Sequence, residues 1–238
     1  MRSKQDISES LLEKLRTESI NPLLLDRLVY LSRQYFAFFT KHTSRAYEYV
    51  WLLSQLHEIR GKKFLDIGTG LSPLPIHLAQ QGAEVYTVDF FKEKDRYWGA
   101  DRSQWYEWGF IDYHPIHPNI ISYHADVNQL QFGESEFDCI YSISSVEHID
   151  ASARRKIWEN AHTWLKPEGQ LLLTVDIIKN STSLHNYFLD VFVEDPNLHG
   201  NIDALIHELN AFTLHDVQFT CNIPQLDEVD IVSLACTK

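Results

Sequence analysis

Apolar positions in the first 60 residues recur with the spacing of amphipathic helices. Asn21 and Pro22 are predicted as the N-cap and first residue of a helix, and Gly61 as the stop signal of the next helix. Residues 1–60 are therefore predicted to form a helical N-terminal cap. Its three helices are expected within residues 7–18, 21–39 and 44–59.

After Gly61, short apolar runs alternate with helical stretches, as is typical of an α/β fold with a parallel sheet. The last two apolar runs are joined by a link too short for a parallel crossover, so the last strand is predicted to be antiparallel. We therefore predict a Rossmann-like, doubly wound, mostly parallel seven-stranded sheet over residues 61–238. Strands are expected at 63–67, 84–88, 119–123, 137–142, 170–175, 215–223 and 229–238, and helices at 73–81, 151–165 and 201–211.

Two stretches, 91–118 and 177–200, do not fit this alternation and are predicted to be insertions. Both leave the carboxyl ends of strands, where loops overhang the ligand crevice of an open α/β sheet. They are expected to help form a pocket for a second ligand, although packing onto the core explains their aromatic residues nearly as well. Those residues are Tyr97, Trp98, Trp105, Tyr106, Trp108 and Tyr113, then Tyr187, Phe188 and Phe192.

Charge and composition narrow the function. A net charge of −12 over 238 residues argues against a nucleic-acid partner, and the basic run at 154–156 is predicted to be a solvated helix face. The three cysteines, Cys139, Cys221 and Cys236, match neither a disulfide framework nor a zinc site. The polar N-terminus and the lack of a long apolar run predict a cytoplasmic protein with no signal peptide and no membrane partner.

The stretch "FLDIGTG", residues 64–70, predicts a strand that runs through a glycine turn into a helix. Glycines at Gly68 and Gly70 let the backbone approach a ligand, and the helix start offers unpaired N–H groups. Asp89 closes the next strand and suits the ribose hydroxyls of NAD or S-adenosylmethionine. The dinucleotide fingerprint needs a third glycine where this chain has Pro73, so a pyrophosphate cofactor fits poorly.

Five stretches, in their order along the chain, resemble the motifs of the class I S-adenosylmethionine-dependent methyltransferases. The resemblance is to the type 11-like members, which act on small molecules. The resemblance covers about residues 61–175 and departs from the family at Ser72 and Glu168, where glycines are frequent. The stretches are "FLDIGTG", "VYTVDF", "HADVNQL", "FGESEFDCIYSISSVEHI" and "LKPEGQLLLT".

The resemblance implies S-adenosylmethionine as the cofactor. Gly68, Thr69 and Gly70 would pass beneath its methionine and ribose portion. Asp66 would orient this turn or meet the cofactor ammonium group, and Asp89 would bind the ribose. A strand-end cap for Asp66 and a surface turn for Asp89 are the alternatives.

The same resemblance places Phe90 beside the adenine, Asp126 against its amino group and the Val127 N–H against its ring. An Asx-turn is the alternative role of Asp126. Backbone groups of Ser142, Ile143 and Ser144 would lie near the methionine end.

Arg45 is a candidate partner of the cofactor carboxylate, the alternative being an exposed helix charge. His148 and Glu147 follow the fourth strand and are candidate general bases, although His148 would serve equally to cap or pack locally. No metal site is predicted. Two prolines break any helix that would align His114 with His117, and no other ligand spacing supports a site.

We therefore predict an S-adenosylmethionine-dependent methyltransferase that acts on a small-molecule acceptor, with O- or N-methylation favoured. The alternatives are an NAD-dependent oxidoreductase, a catalytically inactive binding or scaffold protein of the same fold, and a protein or RNA methyltransferase. A homodimer is one option for its assembly.

Overall fold

The computed structural model describes residues 8–39, 43–90, 110–185, 199–226 and 228–238. Seven strands form one sheet in the order β3-β2-β1-β4-β5-β7-β6. Neighbours from β3 to β5 are parallel, and β7 pairs antiparallel with both β5 and β6, so the predicted sheet is confirmed. The strands are β1 Lys63–Ile67, β2 Glu84–Asp89, β3 Ile120–His124, β4 Phe137–Ile143, β5 Leu165–Ile178, β6 Thr213–Thr220 and β7 Val229–Thr237.

Within the described ranges, six α-helices flank this sheet. The Asn21 side chain caps the second, as predicted, by accepting from the Leu24 N–H at 3.1 Å. Short 3-10 turns at Val127–Gln129 and Val146–His148 follow β3 and β4. The helices are α1 Glu9–Glu18, α2 Pro22–Phe36, α3 Ser44–Ser54, α4 Leu74–Gln80, α5 Ala151–Trp164 and α6 Ile202–Glu208.

The helices cover the two faces of the sheet and bury separate apolar layers. Side chains of α1 to α4 pack on one face, and those of α5 and α6 on the other. Along β1, Phe64 belongs to the first layer and Leu65 to the second, because successive side chains of a strand point to opposite faces. The predicted N-terminal cap thus shares a core with the sheet.

The predicted bounds of α2, α3, α6, β5 and β6 were wrong by three or more residues at one end or both, and the largest differences are in α3 and β5. Helix α3 ends at Ser54 instead of reaching residue 59, because the Ser54 hydroxyl bonds back to the Trp51 carbonyl at 2.6 Å and the last turn tightens. Strand β5 is much longer than residues 170–175, because Leu165 already pairs with Phe137 of β4, and the strand's far end pairs with β7. Glu168, one of the departures from the family glycines, has a φ of +62°, the conformation that glycine adopts most easily.

The prediction of a solvated face at residues 154–156 was wrong for Arg154. This side chain is fully buried, and its guanidinium donates to both carboxylate oxygens of Glu208 on α6, at 2.9 and 3.0 Å. It also donates to the carbonyls of Ile149 and His199, both at 2.7 Å. Arg154 therefore joins α5, α6 and the end of the loop after β4.

Cys139, Cys221 and Cys236 are free thiols, of which only Cys221 is exposed. No helix among the described residues is both long and apolar enough to cross a bilayer.

Candidate active site

The turn after β1 has a backbone that requires glycine. Gly68 has a φ of +75° and Gly70 a φ of +52°. A Cβ atom on Gly68 would lie 1.9 Å from the Ser145 Oγ and 2.5 Å from the Ser145 Cβ. The glycine turn therefore touches the chain that follows β4, and no other residue fits at Gly68 without displacing it.

Two side chains hold the glycine turn by its backbone. The Gly70 N–H donates to the Asp89 Oδ2 at 2.8 Å, and the Gly70 carbonyl accepts from the Tyr113 hydroxyl at 2.6 Å. The same hydroxyl oxygen accepts from the Ser72 N–H at 2.8 Å. Ser72, where the family often has glycine, also accepts from the Leu74 N–H at 3.2 Å and so steadies the start of α4.

Sequence reasoning missed the role of Tyr113. It placed this residue among the aromatics expected around a second-ligand pocket, but the side chain is buried beneath the glycine turn. Its separation of 43 residues from Gly70 leaves no spacing signal. The other aromatic residues singled out in the two insertions, from Tyr97 to Trp108 and from Tyr187 to Phe192, lie outside the described residues.

Asp66 lies under the same turn, fully enclosed. Its backbone carbonyl accepts from the Thr69 hydroxyl at 3.2 Å, but its carboxylate Oδ2 has no hydrogen-bond partner among the described residues. Burial raises the pKa of Asp66 well above its usual value. The Tyr141 and Thr69 hydroxyls oppose this shift, and the charge of Asp89 adds to it. A buried carboxyl with an unused oxygen fits a positively charged ligand group.

The residues predicted to meet the adenine lie together past the neighbouring strand ends. Asp89 pairs with His124 in the β2–β3 register, so Phe90 and Asp126 both follow the same sheet edge. Phe90 is half exposed. The Asp126 side chain caps a 3-10 turn by accepting from the Asn128 N–H at 2.9 Å, which leaves the Val127 N–H without a partner inside that turn. Asp126 is thus an Asx-turn residue, as its alternative role predicted, and its contact with the adenine stays a prediction.

The residues predicted near the methionine end brace the glycine turn from β4. The Ser142 hydroxyl donates to the Ile67 carbonyl at 2.7 Å, which ties β4 to the last residue of β1. Ile143 is buried, and Ser144 has a φ of +40°. The Ser144 N–H is already bonded to the Thr174 carbonyl of β5 at 2.9 Å.

Arg45 is buried on α3, so its predicted exposed alternative does not hold. It forms an ion pair with Glu48 one turn further along the helix. The second Glu48 oxygen accepts from the hydroxyls of Ser144 and Thr174, the latter at 2.6 Å. Burial opposes the charge on Arg45, but Glu48 outweighs it and raises the pKa of the guanidinium, which stays protonated.

Glu48, Glu147 and Asp176 form what we call the carboxylate cluster. The Ser144 hydroxyl links Glu48 to Asp176, 3.2 Å from the Asp176 Oδ1. The Asp176 N–H donates to the Glu147 Oε1 at 3.1 Å, whereas the Glu147 Oε2 is buried with no hydrogen-bond partner among the described residues.

The pKa values of two members of the cluster are raised. Burial raises the pKa of Asp176 to about 7, with a further contribution from the charge of Glu48, while Arg45 and the Ser144 hydroxyl oppose the shift. Burial and the charge of Asp176 raise the pKa of Glu147 well above its usual value. The structure thus groups the candidate base Glu147 with two carboxyl groups that sequence reasoning missed. Asp176 carried a usable signal, because it follows the apolar run of β5 as Asp89 follows that of β2.

His148, the other candidate base, ends the 3-10 turn after β4, and its N–H donates to the Ser145 carbonyl at 3.1 Å. Its side chain is only partly buried. His148 thus lies at the sheet edge where an acceptor is expected, and its role stays a prediction.

The sequence was compared with those of known protein families. Residues 65–173 match the family model described as a methyltransferase domain. This part of the chain is therefore similar to a methyltransferase domain. The match begins in β1 and ends in β5, and so includes the glycine turn, Asp89, Asp126 and Glu147. It supports the predicted methyltransferase over the NAD-dependent oxidoreductase.

The matched proteins differ in how much of their length they share with this chain. The phosphoethanolamine N-methyltransferase of Plasmodium falciparum is 26% identical over 129 residues, which are 52% of this chain. The matched part spans only 42% of that relative. A solved 1,6-didemethyltoxoflavin-N1-methyltransferase of Burkholderia thailandensis superposes over 100% of this chain and 93% of its own, with a TM-score of 0.58 and 17% identity.

An S-adenosylmethionine-dependent methyltransferase of Mesorhizobium loti has a TM-score of 0.54 and 14% identity, over 80% of this chain and 97% of its own. At such identities the two solved structures show a shared fold.

The residues of the site fit S-adenosylmethionine. The unused Asp66 oxygen suits an ammonium group, and Asp89 keeps one carboxylate oxygen beyond its bond to Gly70. Gly68 and Gly70 carry no side chain in the turn after β1, which lets a ligand approach its backbone closely. Among the described residues, no group of three His, Cys, Asp or Glu side chains is arranged to hold a metal ion.

Proposed function

We propose that the protein transfers the methyl group of S-adenosylmethionine to a nitrogen or oxygen atom of a small molecule. The observation that carries this proposal is the contact of the Gly68 backbone with Ser145. It sets the cofactor turn directly against the polar residues at the ends of β4 and β5. The printed activities of the Plasmodium and Burkholderia relatives, both N-methyltransferases of small molecules, support the same class of acceptor.

We assign the cofactor to the residues that follow β1, β2 and β3. Asp89 would receive the ribose hydroxyls on the oxygen that Gly70 does not use, and Phe90 and the Val127 N–H would meet the adenine. Asp66 would face the ammonium group. Arg45 remains our candidate for the cofactor carboxylate, although its ion pair with Glu48 restricts its reach.

Bound S-adenosylmethionine supplies an activated methyl group, which an acceptor's electron pair takes as the carbon–sulfur bond breaks and S-adenosylhomocysteine leaves. The protein then has two tasks, to align the acceptor and to receive any proton that the acceptor nitrogen or oxygen carries. His148 is only partly buried and can touch an acceptor, whereas Glu147 is fully enclosed. We therefore assign the proton to His148 when the acceptor is a hydroxyl group.

A binding experiment tests the cofactor. The purified protein and an Asp89→Ala variant are titrated calorimetrically with S-adenosylmethionine, S-adenosylhomocysteine and NAD. We expect micromolar binding of the two sulfur compounds, weakening in the variant, and no binding of NAD. Absence of binding by both sulfur compounds would refute the proposal.

A labelling experiment tests the acceptor. The protein is incubated with methyl-labelled S-adenosylmethionine and a cell extract, and the label is followed into small-molecule, protein and RNA fractions. We expect label in the small-molecule fraction. Label in precipitated protein or RNA would replace the small acceptor with a macromolecule, and cofactor binding without any transfer would favour the inactive scaffold.

A further inference from the structure

We infer that the acceptor is an amine, bound as a cation at the carboxylate cluster, with Asp176 as the side chain that contacts it. The inference rests on the proposed methyl transfer and names the class of acceptor for that same site.

The carboxylate cluster contains more carboxyl groups than cations. Glu48, Glu147 and Asp176 are three carboxyl groups, and Arg45 is the one cation that faces them among the described residues. Glu48 engages that guanidinium in an ion pair. The charge of Arg45 also acts on Glu147 and Asp176, but among the described residues neither of these carboxyl groups forms an ion pair with it. Burial makes the remaining negative charge costly.

One carboxylate oxygen of the cluster is an unused hydrogen-bond acceptor among the described residues. Glu147 is fully buried, and its Oε2 has no partner among the described residues, although its Oε1 is held by the Asp176 N–H. Buried polar atoms of this kind are rare and point to a missing ligand. An ammonium group offers up to three donors and no acceptor, which matches a site made of carboxylate oxygens.

Solvent reaches one member of the carboxylate cluster. Asp176 keeps part of its surface exposed to solvent, whereas Glu48 and Glu147 are enclosed. Asp176 is also connected to the glycine turn through the end of β4, because its partner Ser144 precedes Ser145, whose side chain touches Gly68. A cation at the exposed rim of the cluster would thus sit against the cofactor turn.

Proton transfer follows from the same arrangement. A primary to tertiary ammonium group can give one proton to the Asp176 carboxylate, which leaves a neutral amine with a free electron pair and a neutral carboxylic acid. Net charge is unchanged by this step. The raised pKa of Asp176, about 7, makes the exchange accessible near neutral pH. Four other titratable side chains lie near the cluster. Tyr49 on α3 faces Arg45 and Glu48, and His199 lies near the Glu147 backbone. His148 directly follows Glu147, and the backbone N–H of His185 donates to the Asp176 carbonyl at 2.8 Å.

A charged probe and its neutral isostere test the inference. The protein saturated with S-adenosylhomocysteine is titrated with choline and with 3,3-dimethylbutan-1-ol, which has the same shape without the charge. We expect choline to bind at least about tenfold more tightly, as a charge-assisted contact requires. Asp176→Asn should abolish this preference. The matched control, Asp203→Asn at an exposed position of α6, should keep it.

The pH dependence gives a second readout. Choline carries no exchangeable ammonium proton, so its binding should expel a proton from the cluster. We expect affinity to rise about fivefold or more between about pH 6 and about pH 8, with buffer-dependent heats of binding at the lower pH. Glu147→Gln should weaken choline binding while S-adenosylhomocysteine still binds, and it carries the test if Asp176→Asn fails to fold.

Equal binding of choline and its isostere, or a preference that survives Asp176→Asn, would overturn the inference and leave the proposed methyl transfer standing. Failure of S-adenosylhomocysteine to bind the wild-type protein would instead remove both.

Discussion

The glycine turn and the carboxylate cluster lie side by side at one edge of the sheet, yet they are held in different ways. In the turn, backbone groups of Gly70 bond to the side chains of Asp89 and Tyr113. In the cluster, side chains bond to one another across elements as much as 126 residues apart, as between Glu48 and Thr174. The glycine turn has a backbone conformation fixed by hydrogen bonds, whereas the cluster has more carboxyl groups than cations.

This difference suits two separate functions of the domain, binding the cofactor and binding the acceptor. A preorganised backbone suits a cofactor that is the same in every turnover. A group of three buried carboxyls that faces one cation carries unfavourable charge, and a cationic ligand would relieve it. The predictions below separate the two regions.

The largest effect is expected where the cluster loses its cation. Arg45→Met leaves three carboxyl groups without a facing cation among the described residues, so the free energy of unfolding should fall by about 3–5 kcal/mol. Denaturant unfolding measures this. Adding Glu48→Gln to Arg45→Met should restore at least half of the loss, and a loss that the second substitution deepens would show that repulsion is not the cause.

A steric change should break the glycine turn. In Gly68→Ala the new Cβ would meet Ser145 at 1.9 Å, so we expect a loss of about 2–4 kcal/mol in stability and no measurable S-adenosylhomocysteine binding. Gly61→Ala is the matched control, because Gly61 has a similar φ of +73° but open space around it. It should lose only about 1 kcal/mol. Equal losses would mean that backbone strain, and not the contact with Ser145, makes glycine necessary.

The charge and the turn contact of Asp89 can be separated. Asp89→Ala removes the acceptor of the Gly70 N–H as well as the ribose contact, and should weaken S-adenosylhomocysteine binding about 100-fold. Asp89→Asn keeps an oxygen for Gly70 and should lose only about tenfold. Calorimetric affinities decide this, and equal affinities of the two variants would show that the Gly70 contact contributes nothing.

The cluster should also give the protein a pH-dependent stability. The pKa of Asp176 is about 7 in the folded protein and close to 3.8 when the chain is unfolded, so the folded state binds more protons between these values. Stability from this group therefore falls as pH rises through that window. Asp176→Asn should remove about 1–2 kcal/mol of the decline, measured as unfolding free energies at both ends of the window. An unchanged pH profile in this variant would contradict the raised pKa.

The smallest effect is expected at the adenine end. Phe90→Ala should reduce S-adenosylhomocysteine affinity by about 0.5–1 kcal/mol with little change in stability, because the ring is already half exposed. Phe219→Ala on β6, at a similarly exposed position, should leave the affinity unchanged. A matching loss in both variants would remove Phe90 from the site.

Local patterns were enough to predict much of the cofactor region. The strands before the glycine turn and before Asp89 are apolar runs bounded by glycine and polar residues, and their positions agree with the structure to within one residue. Gly68 and Asp89 contact Ser145 and Gly70, neighbours that the adjacent strand ends bring together, and the order of the strands along the chain predicted this.

The sequence by itself determined the alternation of strands and helices, the antiparallel last strand and the cofactor turn, because periodicity, glycine and strand-end acids act over a few residues. Only the tertiary structure decided that Tyr113 holds Gly70, that Arg154 is buried against Glu208, and that Arg45 meets the carboxylate cluster. Those contacts join residues dozens of positions apart or choose among partners on different elements. They depend on which strands become neighbours and which helix covers each face, and no short-range pattern carries that information.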